Sequence, residues 1–386
     1  MNVPKLRFKE FNDNYLRLKY KDILKISNGI NKEKEFFGSG TPIINYMDVN
    51  KNELISHNIV KGLVIANSKE LETFNVKKGD ILFTRTSETS DEIGLSSSVI
   101  IENIDKCIFS GFILKGTQTK QFIHPYFGGY YFRNPKMRKE IIKHSSITTR
   151  ALTSGSLLSQ MSISIPTIIE QEKIGKTLSL LDKKIELQTK KIEDLKLFKL
   201  YLQNKLYNAN DTKDVLIKDL GEIVTGTTPS KSENKYWDNG NILWITPTDI
   251  CENRDINDCS CKLTESGLAK GRFIPKNSIL VTCIASIGKN AIIKEDGSCN
   301  QQINAIIPSK DYNYNYIYYM IENLSNYMKS IAGTSATAII NKEQFGNINI
   351  KIHKREVQDK ISKILNAFET KIIQEGFKYK KLQNLK

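Results

Sequence analysis

The spacing of apolar residues predicts a long helix in the middle of the chain. Between residues 167 and 206, apolar side chains alternate at intervals of four and three positions, which places them on one narrow stripe of a helix. Such a helix would extend about 60 Å. Two polar residues, Gln188 and Lys199, interrupt the stripe. Its apolar positions are Ile174, Leu178, Leu181, Ile185, Ile192, Leu195, Leu202 and Leu206.

A second helical stripe begins near residue 354 and would extend about 50 Å. It is interrupted by Glu375 and Gly376. Neither helix can bury its stripe alone, so the pattern favours packing of the two helices against each other, antiparallel, as a spacer between globular domains. The alternative is an apolar face presented to another chain. The apolar positions of the second stripe are Ile361, Leu365, Phe368, Ile372, Tyr379 and Leu382.

The two helical stretches repeat each other in sequence. Gln171 corresponds to Gln358, and the stripe positions after it agree at the same separation of 187 residues. A repeat of this length indicates two duplicated domains instead of a solenoid, whose repeats reach roughly 50 residues. Upstream matches pair Lys21-Asp22-Ile23, Ile26 and Gly29 with Lys218-Asp219-Leu220, Ile223 and Gly226.

The rest of each half contains short strand-like runs punctuated by glycine and asparagine, such as residues 42–46 and 80–84. We therefore predict an α+β protein with two similar mixed α/β domains, separated by two long antiparallel helices in a pseudo-twofold internal repeat. Outside the repeated anchors the halves share little sequence, as expected if each domain recognises a different target. The predicted segments are a first domain 1–165, a spacer helix 166–207, a linker 208–214, a second domain 215–352 and a spacer helix 353–386.

The composition of the chain favours a polyanionic partner, most often nucleic acid. The formal net charge is +15 and the pI is about 9.3.

The chain lacks the sequence motifs of the catalytic sites considered. The Asn-Pro-Pro-aromatic motif of adenine methylation is missing, and Gly175-Lys-Thr177 has Glu170 where a phosphate loop needs glycine. The four histidines lie in unrelated segments, and the six cysteines lack zinc-site spacing. We predict no catalytic residue, metal or cofactor in this chain, and a cytoplasmic location because no apolar run could span a membrane.

Two further groups of residues point to a known family. One is Val3-Pro-Lys-Leu-Arg-Phe8 followed by Phe11, and the other is Thr225-Gly-Thr-Thr-Pro-Ser230 followed by Tyr236-Trp237, Gly240, Trp244 and Asp249-Ile250. Together with the repeated glutamine-containing helices, these motifs occur in order along essentially the whole chain. The chain resembles the specificity subunit of type I restriction-modification systems.

The resemblance implies two target-recognition domains that each bind one part of a bipartite site in double-stranded DNA, with the helices setting their separation. It also implies docking of two methyltransferase subunits and of restriction subunits, which would themselves bind S-adenosylmethionine, ATP and Mg²⁺. Two alternatives stay open: the recognition subunit of another bipartite restriction system, and a coiled-coil adaptor between proteins. Steeply salt-dependent binding to duplex DNA would separate recognition from the adaptor.

Candidate DNA-binding residues follow from the chemistry of DNA. Phosphates are bound by Lys, Arg and small hydroxyl or amide donors, whereas guanine is recognised by Arg and adenine by Asn or Gln. Thr84-Arg85-Thr86 lies at the end of a repeated strand, where the forked guanidinium group of Arg85 can enter a groove of DNA. The first-domain candidates are Lys32, Lys34, Thr84, Arg85, Thr86, Thr148, Thr149 and Arg150. The second-domain candidates are Lys231, Lys235, Thr246, Lys289, Asn290, Gln301 and Gln302.

Aromatic clusters at residues 126–132 and 312–319 occupy equivalent places in the two halves. Their rings could stack on bases, but they fall on a predicted helix. Packing of that helix on the sheet is therefore the favoured interpretation, and these aromatic residues are not among the candidates.

Overall fold

The chain divides into two compact units, which we call the first unit (residues 1–186 with 384–386) and the second unit (residues 187–383). The two predicted long helices are present and span Ile168–Tyr207 and Arg355–Leu385. The predicted linker falls partly outside the described residues. The computed structural model describes residues 7–102, 106–147, 150–207, 211–250, 254–333 and 338–386.

The first unit combines short strands with short helices before the long helix begins. Its strands are β1 Leu16–Lys19, β2 Leu24–Asn28, β3 Phe37–Ile44, β4 Leu54–Ile55, β5 Gly62–Val64, β6 Ile81–Thr84, β7 Thr86–Ser87, β8 Ser96–Val99, β9 Ile108–Phe109, β10 Ile113–Gln118, β11 Ser146–Ile147, β12 Ala151–Leu152 and β13 Ser162–Ile165. Its helices are α1 Tyr20–Ile23, α2 Tyr46–Lys51, α3 Ser68–Thr73, α4 Pro125–Tyr131, α5 Pro135–Lys143, α6 Gly155–Ser159 and α7 Ile168–Tyr207, which continues into the second unit.

A five-stranded mixed sheet forms the centre of the first unit, in the order β2-β10-β6-β8-β4. All four residues of β6 are buried, because both faces of this middle strand are covered. Smaller sheets flank it, in the orders β5-β3-β9, β1-β13 and β11-β12-β7.

The second unit repeats this construction with fewer short strands. Its strands are β14 Thr212–Leu216, β15 Gly221–Thr225, β16 Ile242–Ile245, β17 Asp255–Ile256, β18 Lys262–Leu263, β19 Ile279–Thr282, β20 Asn290–Ile293, β21 Gly297–Cys299, β22 Ile303–Pro308 and β23 Asn349–His353. Its helices, besides the end of α7, are α8 Glu265–Leu268, α9 Tyr314–Asn323, α10 Ser325–Ile331, α11 Lys342–Gly346 and α12 Arg355–Leu385, whose last two residues belong to the first unit.

The strand orders confirm the predicted duplication. The central sheet of the second unit runs β15-β22-β19-β20-β17, which matches the central sheet of the first unit strand for strand. In both sheets the last pair of this order is parallel, namely β8 with β4 and β20 with β17, and the other pairs are antiparallel. The flanking sheets β18-β16-β21 and β14-β23 also match, whereas an isolated bridge between Ile284 and Ile339 stands in place of β11-β12-β7.

The aromatic clusters pack the helices onto these sheets, as predicted. Phe132 in the first unit is fully buried, and so are Tyr316 and Tyr319 in the second. Stripe positions near the start of each long helix have a similar role. Ile361 and Leu365 belong to the core of the second unit, and Ile174 packs against the core of the first. These positions join each helix to its own domain.

Polar side chains that interrupt the helical stripes bind one another. Gln188 Nε2 donates to Glu375 Oε2 at 2.7 Å, and Lys199 Nζ lies 2.7 Å from Glu369 Oε2. As the position along α7 increases from Gln188 to Lys199, the position of the partner along α12 decreases from Glu375 to Glu369. This confirms that the two helices are antiparallel within the second unit. Near this contact, the rings of Phe198 and Phe368 lie 5.5 Å apart.

Glu375 is the most heavily paired acid on the helices. Its side chain is buried and accepts from Gln188, and Lys191, Lys371 and Lys378 place their ammonium groups within 3.4 Å of Glu375 Oε1. The hydrogen bond from Gln188 and then the lysines lower the pKa of Glu375 to about 2. The carboxylate therefore stays charged where it would otherwise protonate.

We expect Glu375→Gln to lower the Tm at pH 7, because the charged partner of three lysines is lost. The folded pKa lies below the ordinary value of 4.5, so the contribution is complete above pH 4.5 and is lost as the pH falls toward 2. Thermal unfolding followed by circular dichroism from pH 7 to pH 2.5 measures the difference. Glu193→Gln, an exposed change on α7, is the control. A Tm difference independent of pH would contradict the role of the charge.

Candidate nucleic-acid interface

Several predicted DNA-binding residues of the second unit meet at one edge of its central sheet. The register places the ends of β15 and β19 beside the starts of β22 and β20, since Thr225 pairs with Asn304 and Val281 pairs with both Asn304 and Asn290. We call the turns at this end the turn edge, formed in the second unit by residues 226–230, 283–289 and 300–302. Lys289, Gln301 and Gln302 lie on it, and Asn290 adjoins it.

The turn Asn300–Gln302 is held by side-chain hydrogen bonds. Asn300 Oδ1 accepts from the Gln302 backbone N–H at 3.0 Å, and Asn300 Nδ2 donates to Gln302 Oε1 at 3.1 Å. Gln301 Oε1 accepts from the Thr228 hydroxyl at 2.5 Å. Both glutamine side chains are thus ordered at a surface where Gln301 is exposed and Gln302 is half-buried.

The loop Gly226–Ser230 is clamped by the two tryptophans of the chain. Trp244 Nε1 donates to the Thr227 carbonyl at 3.1 Å, and Trp237 Nε1 donates to the Ser230 carbonyl at 3.0 Å. The two rings meet edge to face at 4.9 Å. Gly226 lies directly against the carbonyl oxygen of Asn300, where a Cβ would clash. These contacts explain why the motif combines a glycine with two tryptophans downstream.

The other second-unit candidates differ in what their side chains can offer. Lys231, Lys235 and Lys289 are exposed, and the hydrogen bond with Glu233 raises the pKa of Lys235. The Thr246 hydroxyl donates to Asp249 Oδ2 at 2.6 Å. Asn290 Nδ2 donates to the Tyr318 carbonyl at 2.8 Å. Lys231 and Lys289 suit phosphate contacts, whereas Lys235 is paired with Glu233 and the polar groups of Thr246 and Asn290 have partners within the unit.

The first unit has a turn edge with the same framework, formed by residues 29–31, 85–95 and 110–112. Gly29 lies against the carbonyl oxygen of Ser110, as Gly226 does against Asn300. The Arg85 backbone N–H donates to the Phe112 carbonyl at 2.9 Å, and the same bond joins Cys283 to Gln302 at 2.9 Å. Arg85 therefore corresponds to Cys283, and Phe112 corresponds to Gln302.

Different chemistry occupies these equivalent positions. Arg85 is half-buried at the surface, whereas Cys283 is buried, and burial raises the pKa of its thiol to about 11. Phe112 is 63% exposed. The first turn edge thus presents a guanidinium and an aromatic ring, and the second presents two amides.

The other first-unit candidates lie beside Arg85 or shortly before β3. Thr84 is buried and donates to the Glu92 carbonyl at 3.0 Å, so its hydroxyl supports the turn. Thr86 lies in β7, which pairs with β12, and Arg150 directly precedes β12. Thr148 and Thr149 lie outside the described residues.

Lys32 lies in the loop before β3, and Lys34 begins the short 3-10 helix Lys34–Phe36 that leads into β3. Lys32 is half-buried, with its ammonium 2.7 Å from Glu70 Oε1 and 4.8 Å from the ring centroid of Phe36, whereas Lys34 is exposed. The ammonium group of Lys32 is thus already paired with a carboxylate of the same unit. Lys34 is therefore the better placed of the two for a phosphate contact.

Sequence reasoning missed four residues at or beside the turn edges. Arg272 is exposed and donates to the Thr225 carbonyl at 2.9 Å, and Thr228 orders Gln301. Asn31 is exposed, and its side-chain oxygen lies beside Gly111. Phe112 is an exposed aromatic residue. Phe112 directly precedes the buried first residue of β10 in the sequence, but exposure of a ring has no signature in a single chain.

Within the described ranges, no group of three or more His, Cys, Asp or Glu side chains could hold a metal ion. None of the helices that the structure describes is long and apolar enough to cross a membrane.

Known proteins similar to this chain share one description. The family model for the type I restriction modification DNA specificity domain matches residues 12–197 and again residues 210–384. The specificity subunit of the type I restriction enzyme MjaIX from Methanocaldococcus jannaschii is 35% identical over 159 residues, 40% of this chain and 37% of that protein. The EcoR124I/EcoR124II specificity subunit from Escherichia coli is 34% identical over 166 residues, 40% of each chain. The chain thus spans about two fifths of these relatives.

Solved structures agree on the fold. The crystal structure of a type I restriction-modification S subunit from M. genitalium superimposes with a TM-score of 0.63 at 14% identity, over 99% of this chain and 96% of that chain. A chain from a study of complex assembly and conformational transition of the type I R-M system gives 0.62 at 12% identity, over 97% and 96%. The predicted α+β fold is confirmed, and the two matches of the family model cover both repeats. The chain belongs to the family of type I restriction-modification DNA specificity domains.

Proposed function

We propose that this chain is the non-catalytic DNA-recognition subunit of a type I restriction-modification complex, in which each unit binds one part of a bipartite site in duplex DNA. The turn edge supports this most directly, because the same backbone framework presents different side chains in the two units. Such a framework suits two domains that dock on DNA alike and prefer different bases. The net charge of +15 favours attraction to phosphates.

We also propose that methyltransferase and restriction subunits dock on this chain and themselves bind S-adenosylmethionine, ATP and Mg²⁺. Helix α7 supports this docking, because several of its large apolar side chains are about half exposed or more among the residues that the structure describes. These side chains are Leu180, Leu187, Leu197, Phe198, Leu200 and Tyr201. An adaptor without DNA affinity would share such a surface, so binding to duplex DNA decides between the two functions.

Exchange of residues 1–165 for the corresponding domain of another family member is expected to change one half of the recognised sequence and leave the other half intact. Each turn edge is built within its own unit, so the exchanged framework brings its own side chains. Methylome sequencing of cells that co-express the chimaera with the methyltransferase subunit measures both halves. The reciprocal exchange of residues 215–352 is the control and should alter only the other half. Simultaneous change of both halves would contradict separate recognition.

A further inference from the structure

The two glutamines of the second turn edge keep free hydrogen-bonding groups. Gln301 Oε1 and Gln302 Oε1 each accept one hydrogen bond, from Thr228 and Asn300. A carbonyl oxygen has two lone pairs, so each retains an acceptor site. Within the part of the chain that the structure describes, neither Nε2 atom has a hydrogen-bond partner. Each amide therefore offers one acceptor and a free donor group.

An amide that presents an acceptor beside a donor matches adenine in the major groove. The acceptor takes the N6 hydrogen and the donor binds N7, a pairing that other bases do not reproduce. The bonds from Thr228 and Asn300 also order the side chains before DNA arrives. Ordering a long side chain on binding costs conformational entropy, and pre-ordering reduces this cost.

The equivalent position of the first unit cannot make this pairing. Phe112 corresponds to Gln302, and Gly111 corresponds to Gln301. The 63% exposed ring of Phe112 is suited to apolar contact with the C5-methyl group of thymine. The same turn therefore has amide chemistry in one unit and apolar chemistry in the other.

We propose that this turn determines specificity in both units: Gln301 and Gln302 recognise adenine in the second half-site, and Phe112 contacts a thymine methyl group in the first. The proposal rests on DNA recognition as the function of the chain. It adds which residues distinguish the bases and which base each half-site contains at that position.

The test uses the purified full chain and a pool of duplexes of random sequence, with bound duplexes sequenced at 50 mM and 200 mM salt. Gln301→Ala and Gln302→Ala are each expected to reduce discrimination for adenine at one position of the second half-site by about 5- to 150-fold, with the first half-site unchanged. Phe112→Ala should relax one thymine position of the first half-site only. Gln160→Ala, an exposed glutamine away from the turn edges, should change neither.

Gln301→Glu separates recognition from loss of structure. A carboxylate keeps the bond from Thr228 but cannot donate, so the preferred base should change from adenine toward cytosine, whose N4 amino group donates. Uniform weakening with unchanged base preference in all these variants would overturn the proposal and leave DNA recognition standing. Failure of the wild-type chain to retain any duplex at 50 mM salt would instead overturn the proposed function, and this inference with it.

Discussion

Replacement of Gln171 by alanine is expected to lower the free energy of unfolding of the first unit by about 1–3 kcal/mol for each buried backbone group that is left without a partner. Gln171 is 1% exposed at the start of α7. Its Oε1 accepts from the His124 backbone N–H at 2.9 Å, and its Nε2 donates to the carbonyls of Phe122 and Pro166 at 3.0 and 2.9 Å. Alanine would leave these three backbone groups without the glutamine in a site that admits little water, which is the costly case for a lost hydrogen bond.

Gln358 has the same role in the second unit and supplies a matched variant. Its Oε1 accepts from the Asn313 N–H at 2.9 Å, and its Nε2 donates to the His353 carbonyl at 2.8 Å. Both tryptophans lie in the second unit. Urea unfolding followed by tryptophan fluorescence should therefore shift for Gln358→Ala but not for Gln171→Ala, whereas far-UV circular dichroism should shift for both. Gln160→Ala is the exposed control, and a fluorescence shift in Gln171→Ala as large as that in Gln358→Ala would contradict separate anchoring.

Opposite effects are expected from alanine at the two glycines of the long helices. At Gly175 a Cβ would lie 2.5 Å from the Phe127 backbone nitrogen and 2.6 Å from the Tyr126 carbonyl carbon. Backbone atoms cannot rotate away as a side chain would, so α7 must separate from α4. We expect a net loss of stability of about 1–3 kcal/mol, because overpacking against backbone atoms outweighs the gain of about 1 kcal/mol in helix propensity.

At Gly376 a Cβ would meet no atom within 4 Å among the described residues. Gly376→Ala should therefore stabilise the protein by about 1 kcal/mol through helix propensity alone. Urea titration of both variants at equal protein concentration compares the midpoints. Stabilisation by Gly175→Ala would show that the close approach of α7 to α4 does not constrain the helix. The close contact of Gly175 with the backbone of α4 explains the glycine in Gly175-Lys-Thr177 by packing, without a phosphate loop.

The local pattern of apolar residues was sufficient to predict the long helices. The stripe over residues 167–206 predicts α7 to within one residue of Ile168–Tyr207. The polar interruptions Gln188, Lys199 and Glu375 looked like weaknesses of the stripe, yet they lie in polar contacts between α7 and α12. Apolar periodicity can indicate where a helix packs, but it cannot show that two polar residues far apart in the chain bind each other.

The candidate site was predicted less completely. Lys289, Gln301 and Gln302 do meet at one turn edge, but Thr84 proved to be buried and Phe112 and Arg272 were missed. Residue type alone predicts which side chains can bind a base or a phosphate. Burial decides which of them are available, and burial depends on strands that pair across long stretches of chain.

The amino-acid sequence by itself determined the duplication, the α+β class and the two long helices, because each leaves a regular signal in the order of residues. Only the tertiary structure decided that Phe112 and Gln302 are equivalent. That equivalence follows from the bonds that join Arg85 to Phe112 and Cys283 to Gln302, across strands that are neighbours in the sheet but not in the chain. Side-chain identities at such turns are free to diverge, since the framework is held by backbone hydrogen bonds and by the close contacts of Gly29 and Gly226.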